Sequence, residues 1–427
     1  MTGLAVCADV GSTYTKVAVV DLADGTLVRT RAHPTTAATD VLEGLDAAVR
    51  AAGGNGHPLY VCSSAGGGLR LAVVGYELLV TAKAAQQVGL SAGARVVRVA
   101  AGRLDGAAVA GLRAARPDVV LLVGGTDGGD AEVLVHNARR LAAARLRVPV
   151  VVAGNAAARD EVVAILARLP VTATENVLPR IGVLNPGPAR AALREVFLRH
   201  VIGGKKLSRG TRFASLVRGA TPDVVLTGVE ALADHTGTEL VLVDVGGATT
   251  DVYSVLMPGD EGRAVAGTLW RSRTVEGDLG VRWGATGVVE AAVAERLLDQ
   301  EEADALAEPA ARRTADPGYP PDDVDVRLAT LAATVALRRH GRGRDLRAVR
   351  LFIGSGGVLR HAPAGRAREI LAAPLADHAG GWPLPRAATV VLDRDYVLAA
   401  AGLLAEEHPA VAVALLGSLP TVPLTSH

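Results

Sequence analysis

Short apolar runs dominate the start of the chain. Leu4 to Asp9, Lys16 to Asp21 and a stretch near Thr26 to Ala32 predict three strands, and a helical period from Val41 to Ala52 predicts a helix. After the break "GGNGH", apolar runs alternate with amphipathic stretches from Leu59 to about Val201. The runs are "LYVCSS", "RVVRVAAG", "DVVLLVGG", "VPVVVAG" and "PVTATE", with helices near Tyr76 to Val88, Asp130 to Ala144, Ala157 to Leu169 and Pro188 to Val201. Continuous apolar strands separated by helices predict a mostly parallel sheet covered on both faces. A link, "GGKKLSRGTR", and a helical stretch, "TPDVVLTGVEALADH", lead to a second strand-turn-strand, "ELVLVDVGGATTDVYSV". Then come "TVEGDLGVRWGATG", a helix and an Asp/Pro-rich stretch, "TADPGYPPDDVD", read as an exposed loop. A strand with a glycine turn, "VRLFIGSGGVL", another short strand and a closing helix complete the pattern.

Composition narrows the function classes. Aromatics make up 3% of the chain and the formal net charge is +1, which argues against a base-stacking nucleic-acid platform and against attraction to anionic membranes. No apolar stretch reaches the roughly 18 uninterrupted residues of a spanning helix, and no basic segment precedes the first apolar run. Cys7 and Cys62 lie in strand-like runs, and the ten histidines show no metal-type spacing, so a reduced, cytoplasmic setting without a zinc site is expected.

The chemistry sits on the turns. "CADVGSTYTK" and "LVDVGGATTD" each place an Asp near a strand end, then a glycine turn with hydroxyl residues, then a second strand. Glycine backbones approach phosphate oxygens closely, hydroxyls add donors, and facing hairpins of this kind hold a triphosphate between them. Asp9 and Asp244 suit Mg²⁺, which keeps much of its water shell. A pair of hairpins related only by duplication is the plainer alternative. In "LFIGSGGV" the bare backbone accepts a flat ring system, and the spacing lacks the last glycine of a dinucleotide fingerprint. Neither a P-loop nor a nucleophile elbow is present, because "IGGKKLS" lacks the leading Gly and "CSSAGG" has Cys62 where an elbow needs Gly.

This order of motifs, ending in "YVLAAAGLL", resembles the ATPase superfamily of actin, the sugar kinases and the heat-shock-70 chaperones. Several segments narrow the resemblance: "SSAGGGLRLAVVGYE", "LLVGGTDGGD", "VVAGNAAARDEV", "TENVLPRIGVLNPGPAR", "VIGGKKLS", "VDVGGATTDVYSV" and "TVEGDLGVR". Together they are similar to the glutamate mutase accessory family, MutL or GlmL, which is unrelated to mismatch repair. The resemblance implies an α/β fold of two actin-like (ribonuclease H-like) ATPase lobes with a large α/β insert in the first. Residues 1–55 would open lobe I, 56–205 form the insert, 206–237 return to lobe I and 238–427 form lobe II, its last helix packing back toward lobe I. It also implies a cytoplasmic, ATP- and Mg²⁺-using reactivating chaperone for adenosylcobalamin-dependent mutases or aminomutases, with their subunits as partners and neither nucleic acid nor membrane.

By motif position, Asp9 would bind hydrated Mg²⁺, with Gly11, Ser12 and Thr13 on phosphates and Thr15 and Lys16 at the return of the hairpin. Two readings of Lys16 stand side by side: a γ-phosphate contact and a solvated surface Lys. Asp244 would place Mg²⁺ and the attacking water. Gly246, Gly247, Ala248, Thr249 and Thr250 would form the second cradle, and Gly354, Ser355, Gly356 and Gly357 would flank adenosine. Asp251 is open between ligand contact and turn cap, and Glu276 and Asp278 between nucleotide sensing and, for Asp278, helix capping. Thr126 and Asp127, in the glycine-rich loop 124–130, touch a ligand or only shape a tight turn. One reading of the insert is that it imitates a cobalamin-binding subunit and docks on the mutase catalytic chain. No Asp-x-His-x-x-Gly stretch accompanies it, so cobalamin binding is not expected.

Three other functions compete with a reactivase. A small-molecule kinase would use the same clamp with a substrate pocket, and a non-hydrolysing actin-like scaffold would assemble. The iron–sulfur activators of acyl-CoA dehydratases share Gly-Ser-Thr-x-Thr-Lys but need cysteines at a subunit junction.

Overall fold

Five strands with the same neighbour order recur in two parts of the chain. The computed structural model describes residues 3–65, 69–77, 82–204, 207–257 and 270–422. Gly66 to Gly68 of the "SSAGGG" motif, part of the helix expected from Tyr76, and Lys205 and Lys206 of the link lie outside the described residues. The chain divides into two compact units, one built mainly from residues 1–227 and 402–408, the other from 228–257, 273–401 and 409–427.

In the first unit, β1 (Leu4–Val10), β2 (Tyr14–Asp21), β3 (Leu27–Pro34), β4 (Leu59–Ser63) and, much later, β10 (Val217–Ala220) form one sheet in the order β3-β2-β1-β4-β10. β1 pairs antiparallel with β2 and parallel with β4, and β4 is parallel to β10. As the central strand, β1 is buried on both faces at Ala5, Val6, Cys7 and Ala8, which is why its sequence runs apolar instead of alternating. The run "LYVCSS", grouped with the insert by its pattern, is therefore a strand of this sheet; its register with β1 pairs Cys62 with Asp9.

Between β4 and β10 the chain builds a second, all-parallel sheet. Its strands are β5 (Leu69–Gly75), β6 (Ala94–Ala101), β7 (Val119–Leu122), β8 (Val150–Val152) and β9 (Val171–Ala173), in the order β6-β5-β7-β8-β9. Counted within the insert this is 2-1-3-4-5, a doubly wound sheet of the flavodoxin-like kind. Arg190 and Arg194, on the helix Pro186–Val196, both pair with the buried Asp223 just after β10, and so tie the insert to its host sheet. Residues 402–408 join the same unit: the Tyr60 hydroxyl donates to Glu407 (3.0 Å), and Arg218 pairs with that carboxylate at 3.0 Å.

The second unit repeats the first sheet's plan with β11 (Leu240–Val245), β12 (Thr250–Val255), β13 (Arg271–Glu276), β14 (Leu351–Ser355) and β15 (Thr389–Leu392), ordered β13-β12-β11-β14-β15. β11 is antiparallel to β12 and parallel to β14, which is parallel to β15. Both sheets thus read third, second, first, fourth, fifth in chain order, which are the two ribonuclease H-like lobes of the expected α/β fold.

Across the second sheet lies the helix Asp323–Gly341, buried nearly all round. At its C-terminal end His340 is fully buried, its Nδ1 2.8 Å from the Thr274 hydroxyl and its Nε2 2.8 Å from the Ser254 hydroxyl. Burial, aided by the Arg344 charge, pushes its pKa well below 6.5, so the folded protein keeps it neutral. The unfolded chain takes up a proton below its ordinary pKa and the folded chain does not. The neutral imidazole's stabilisation is therefore complete above about pH 6.5 and is lost as pH falls, by up to about 1.4 kcal/mol per pH unit. Unfolding stability measured from pH 7.5 to 5 should fall more steeply in the wild type than in His340→Gln; parallel profiles would contradict this.

Candidate functional site

The first hairpin has a tight tip. Gly11 N–H donates to Tyr14 O (3.0 Å), and a Cβ at Gly11 would meet that oxygen at 2.8 Å, so the turn closes only around a bare backbone. Ser12 and Thr13 are exposed at the tip, while Thr15 is buried with its hydroxyl 3.0 Å from that of Thr35. Thr15 thus holds β2 to the segment after β3 and does not face outward with Ser12 and Thr13. Asp9 and Lys16 are cross-strand partners, their charged ends 3.8 Å apart. Thr221, the first residue after β10, donates its hydroxyl to Asp9 Oδ1 at 2.6 Å. Thr221 was not singled out in the sequence because it gains meaning only once β10 lies two strands from β1. The thiol of Cys62 is 3.8 Å from the same oxygen, and burial pushes its pKa well up, with the Asp9 charge adding to the shift.

The second hairpin is held more firmly. Gly246 N–H donates to Thr249 O (2.9 Å), and the Gly247 carbonyl accepts from the backbone N–H groups of both Arg282 (2.8 Å) and Trp283 (3.0 Å). Thr250 is buried with its hydroxyl on Leu279 O at 2.5 Å. Ala248 is exposed at the tip, with Thr249 beside it. Asp244, one residue from the end of β11, is half-buried and sits in register with Asp251 on β12 and Ser355 on β14. Arg273, itself buried, pairs with Asp251 at 2.7 Å, so Asp251 serves the sheet. Asp278 does not cap the following helix, whose N-cap is Gly284; with Glu276 it binds Arg339, each at 2.9 Å. Burial pushes the Glu276 carboxyl up against the pull of Arg339.

Beside this hairpin the glycine strand ends at the same edge. Gly354 and Ser355 lie in β14, and Gly356 follows at φ +110°, where a Cβ would meet Val245 O at 2.2 Å. Gly357 then opens a short helix, Gly357–His361. A cavity of about 540 Å³ opens here, with Val245, Gly247 and Arg282 on one side and Gly357, Val358 and His361 on another. Its third wall is the start of the helix Asp323–Gly341, formed by the "PDDVD" residues that the sequence pattern assigned to an exposed loop. Asp322 caps that helix by accepting Val324 N–H (2.8 Å), and Asp325 Oδ2 accepts Asp322 N–H (3.0 Å). Asp325 is buried because two arginines reach it: Arg313, 3.1 Å away, and Arg282, at 2.8 Å.

In the insert, the loop after β7 is knitted to its neighbours. Asp127 Oδ1 accepts from Ala156 N–H (2.8 Å) and Asn176 Nδ2 (2.9 Å), and Asn155 binds the Gly128 N–H and Gly129 carbonyl. These bonds fix the turn from the neighbouring loops, and within it Thr126 contributes its carbonyl to Gly129 N–H.

The family model for "MutL protein" matches residues 5–419. The chain belongs to the MutL protein family. Protein MutL of Clostridium tetanomorphum, a member, is 34% identical over 450 residues, covering 96% of this chain and 97% of its own. Among solved structures, nucleotide-free acetone carboxylase is 14% identical with a TM-score of 0.41, covering 95% of this chain and 70% of its own. Xylulose kinase from Bifidobacterium adolescentis is 13% identical with a TM-score of 0.34, over 99% and 95% of the two chains. The accessory family suggested by the motifs is thus the family of this chain.

The two neighbouring glycines should differ sharply in their tolerance of a methyl group. Gly356→Ala places a Cβ against Val245 O in a left-handed conformation and should lower unfolding stability by at least about 2 kcal/mol. Gly357→Ala meets open space and should stay within about 0.5 kcal/mol of wild type. Urea melts of both variants check this.

Proposed function

We propose that this protein is a magnesium-dependent, slowly hydrolysing ATPase that serves as an accessory, reactivating factor for an adenosylcobalamin-dependent mutase of the glutamate mutase type. The observation that carries the nucleotide half is the cavity in the second unit, which Gly247 of the second hairpin shares with Gly357 just beyond the glycine strand. A glycine turn for phosphates and a bare-backbone strand end for a ring system then serve one ligand. Membership in the MutL family supports the mutase half.

The residues fit a hydrated Mg²⁺ better than a stripped one. Among the described residues no group of three or more His, Cys, Asp or Glu is arranged to hold a metal, whereas Mg²⁺ bound to phosphates needs one or two carboxylates and its own waters. Asp244 would take that place in the second unit and Asp9 in the first. Bound Mg²⁺ would supply charge neutralisation on the phosphate chain. The protein's share is positioning. Asp244 orients water at the strand end, the Gly247 carbonyl bonds keep the turn fixed, and the Thr221 hydroxyl keeps one Asp9 oxygen aimed. Ser12, Thr13 and Thr249 would offer hydroxyls to phosphate, and Lys16 would divide its charge between Asp9 and ligand.

The insert would face the mutase. Its 2-1-3-4-5 order is that of flavodoxin-like carriers, and it presents an 87% exposed Ile181 on the turn between Arg180 and Val183. ATP turnover in the lobes would be coupled to release of a damaged cofactor through this domain.

Asp244→Asn should lower ATP turnover at least about 100-fold while leaving the unfolding midpoint within a few degrees of wild type. Turnover equal to wild type would remove Asp244 from the mechanism. In the same assay, full-length protein with MgATP should restore activity to a glutamate mutase inactivated by turnover, and Asp244→Asn should not.

A further inference from the structure

Resting on the nucleotide reading of the second-unit cavity, we propose that Arg282 is the cation that binds the phosphate chain there. Three observations on this residue converge. Its own backbone N–H is bonded to the Gly247 carbonyl at 2.8 Å, so it is anchored to the glycine turn that would hold phosphate. Its Nη2 lies 2.8 Å from Asp325 Oδ1, which fixes the guanidinium at the cavity wall. Its Nη1 is buried and has no hydrogen-bond partner among the described residues, and Asp325 Oδ1 likewise lacks an aligned hydrogen bond, so charge alone holds the pair. A guanidinium carries five donors and stays charged at any physiological pH. Arg282 therefore lines the cavity and keeps donor capacity to spare, with Nη1 itself covered by protein.

The other arginines around the cavity are committed elsewhere. Arg313 is fully buried on Asp322, Asp325 and the Pro309 carbonyl. Arg366 is half-exposed and paired with Asp323 at 2.7 Å and Glu369 at 2.9 Å. Nη1 is covered by protein, so a phosphate oxygen in the cavity would accept from it once the guanidinium turns out of that cover, satisfying a donor that otherwise has no partner among the described residues. The chemical class follows from the geometry: the ligand is recognised through its phosphates on this wall and through its ring by the Gly357–Val358 side.

The test separates the two ends of the ligand. Binding of adenosine, ADP and ATP with Mg²⁺ is measured by calorimetry in the wild type, Arg282→Gln and Arg282→Lys; Trp283, half-exposed beside Gly247, supplies a fluorescence readout in each. Loss of a charge-assisted hydrogen bond should weaken ADP and ATP about 10- to 100-fold in Arg282→Gln, with partial recovery in Arg282→Lys and adenosine affinity within about 2-fold of wild type. ADP and ATP binding indifferent to both variants, or adenosine weakened equally, would overturn the assignment alone. Failure of the wild type to bind any of the three would overturn the nucleotide reading and this proposal with it. A wild-type measurement guards against a misfolded variant: pyrophosphate with Mg²⁺ should change the emission of Trp283, next to Arg282, and emission unchanged at saturating pyrophosphate would contradict the proposal.

Discussion

Parallel pairing of β11 with β14 is the constraint from which the second unit's site follows. Strands that run parallel end on the same edge, and the register sets Val243 beside Gly354 and Asp244 beside Ser355. Two motifs separated by more than a hundred residues of chain therefore release their loops at one place. The antiparallel return through β12 then adds a glycine turn to that edge, and the missing Cβ at Gly356 lets the two backbones close to contact. The first unit repeats the geometry with β1, β2 and β4, and there the carboxylate at the strand end is Asp9.

The second organising feature is electrostatic. Asp325 gathers Arg282 from the segment after the glycine turn and Arg313 from the preceding helix, while also bonding the first turn of its own helix. Removing one partner from such a buried cluster strands the other charges, which typically costs about 3–5 kcal/mol. One side chain thereby links the wall of the cavity to the long helix that covers the sheet. That helix ends at His340, whose two hydroxyl partners come from β12 and β13, so cavity wall and sheet edge are joined by one rigid element.

Much of this was legible in the sequence because the informative signals were local. An Asp, a glycine turn and flanking apolar runs specify a hairpin within about fifteen residues, and both hairpins form where expected. β5 escaped because its run, "LRLAVVG", continues into "YELLV" without a break, and β10 because "VRGA" is four residues long with no period to read. Without those two strands, the insert lacked the strand that joins β6 to β7 and the first sheet its edge. Asp322 and Asp325 looked solvated, since a stretch of Asp and Pro ordinarily is; only Arg282 and Arg313, brought from elsewhere in the chain, bury Asp325. The chemistry of Arg282 was invisible for the same reason: a lone Arg after "GV" has no signature until its neighbours are known. Thr15, placed with Lys16 at the return of the hairpin, faces inward toward Thr35 because the strand's alternation puts it there.

The claim beneath the rest is that the second-unit cavity is where a nucleotide's ring lies. Photolabelling with 8-azido-ATP in the presence of Mg²⁺, followed by peptide mapping, tests it most directly. The account predicts label on residues 321–326 or 357–366, displaced by excess ATP; label confined to peptides outside this cavity would contradict it.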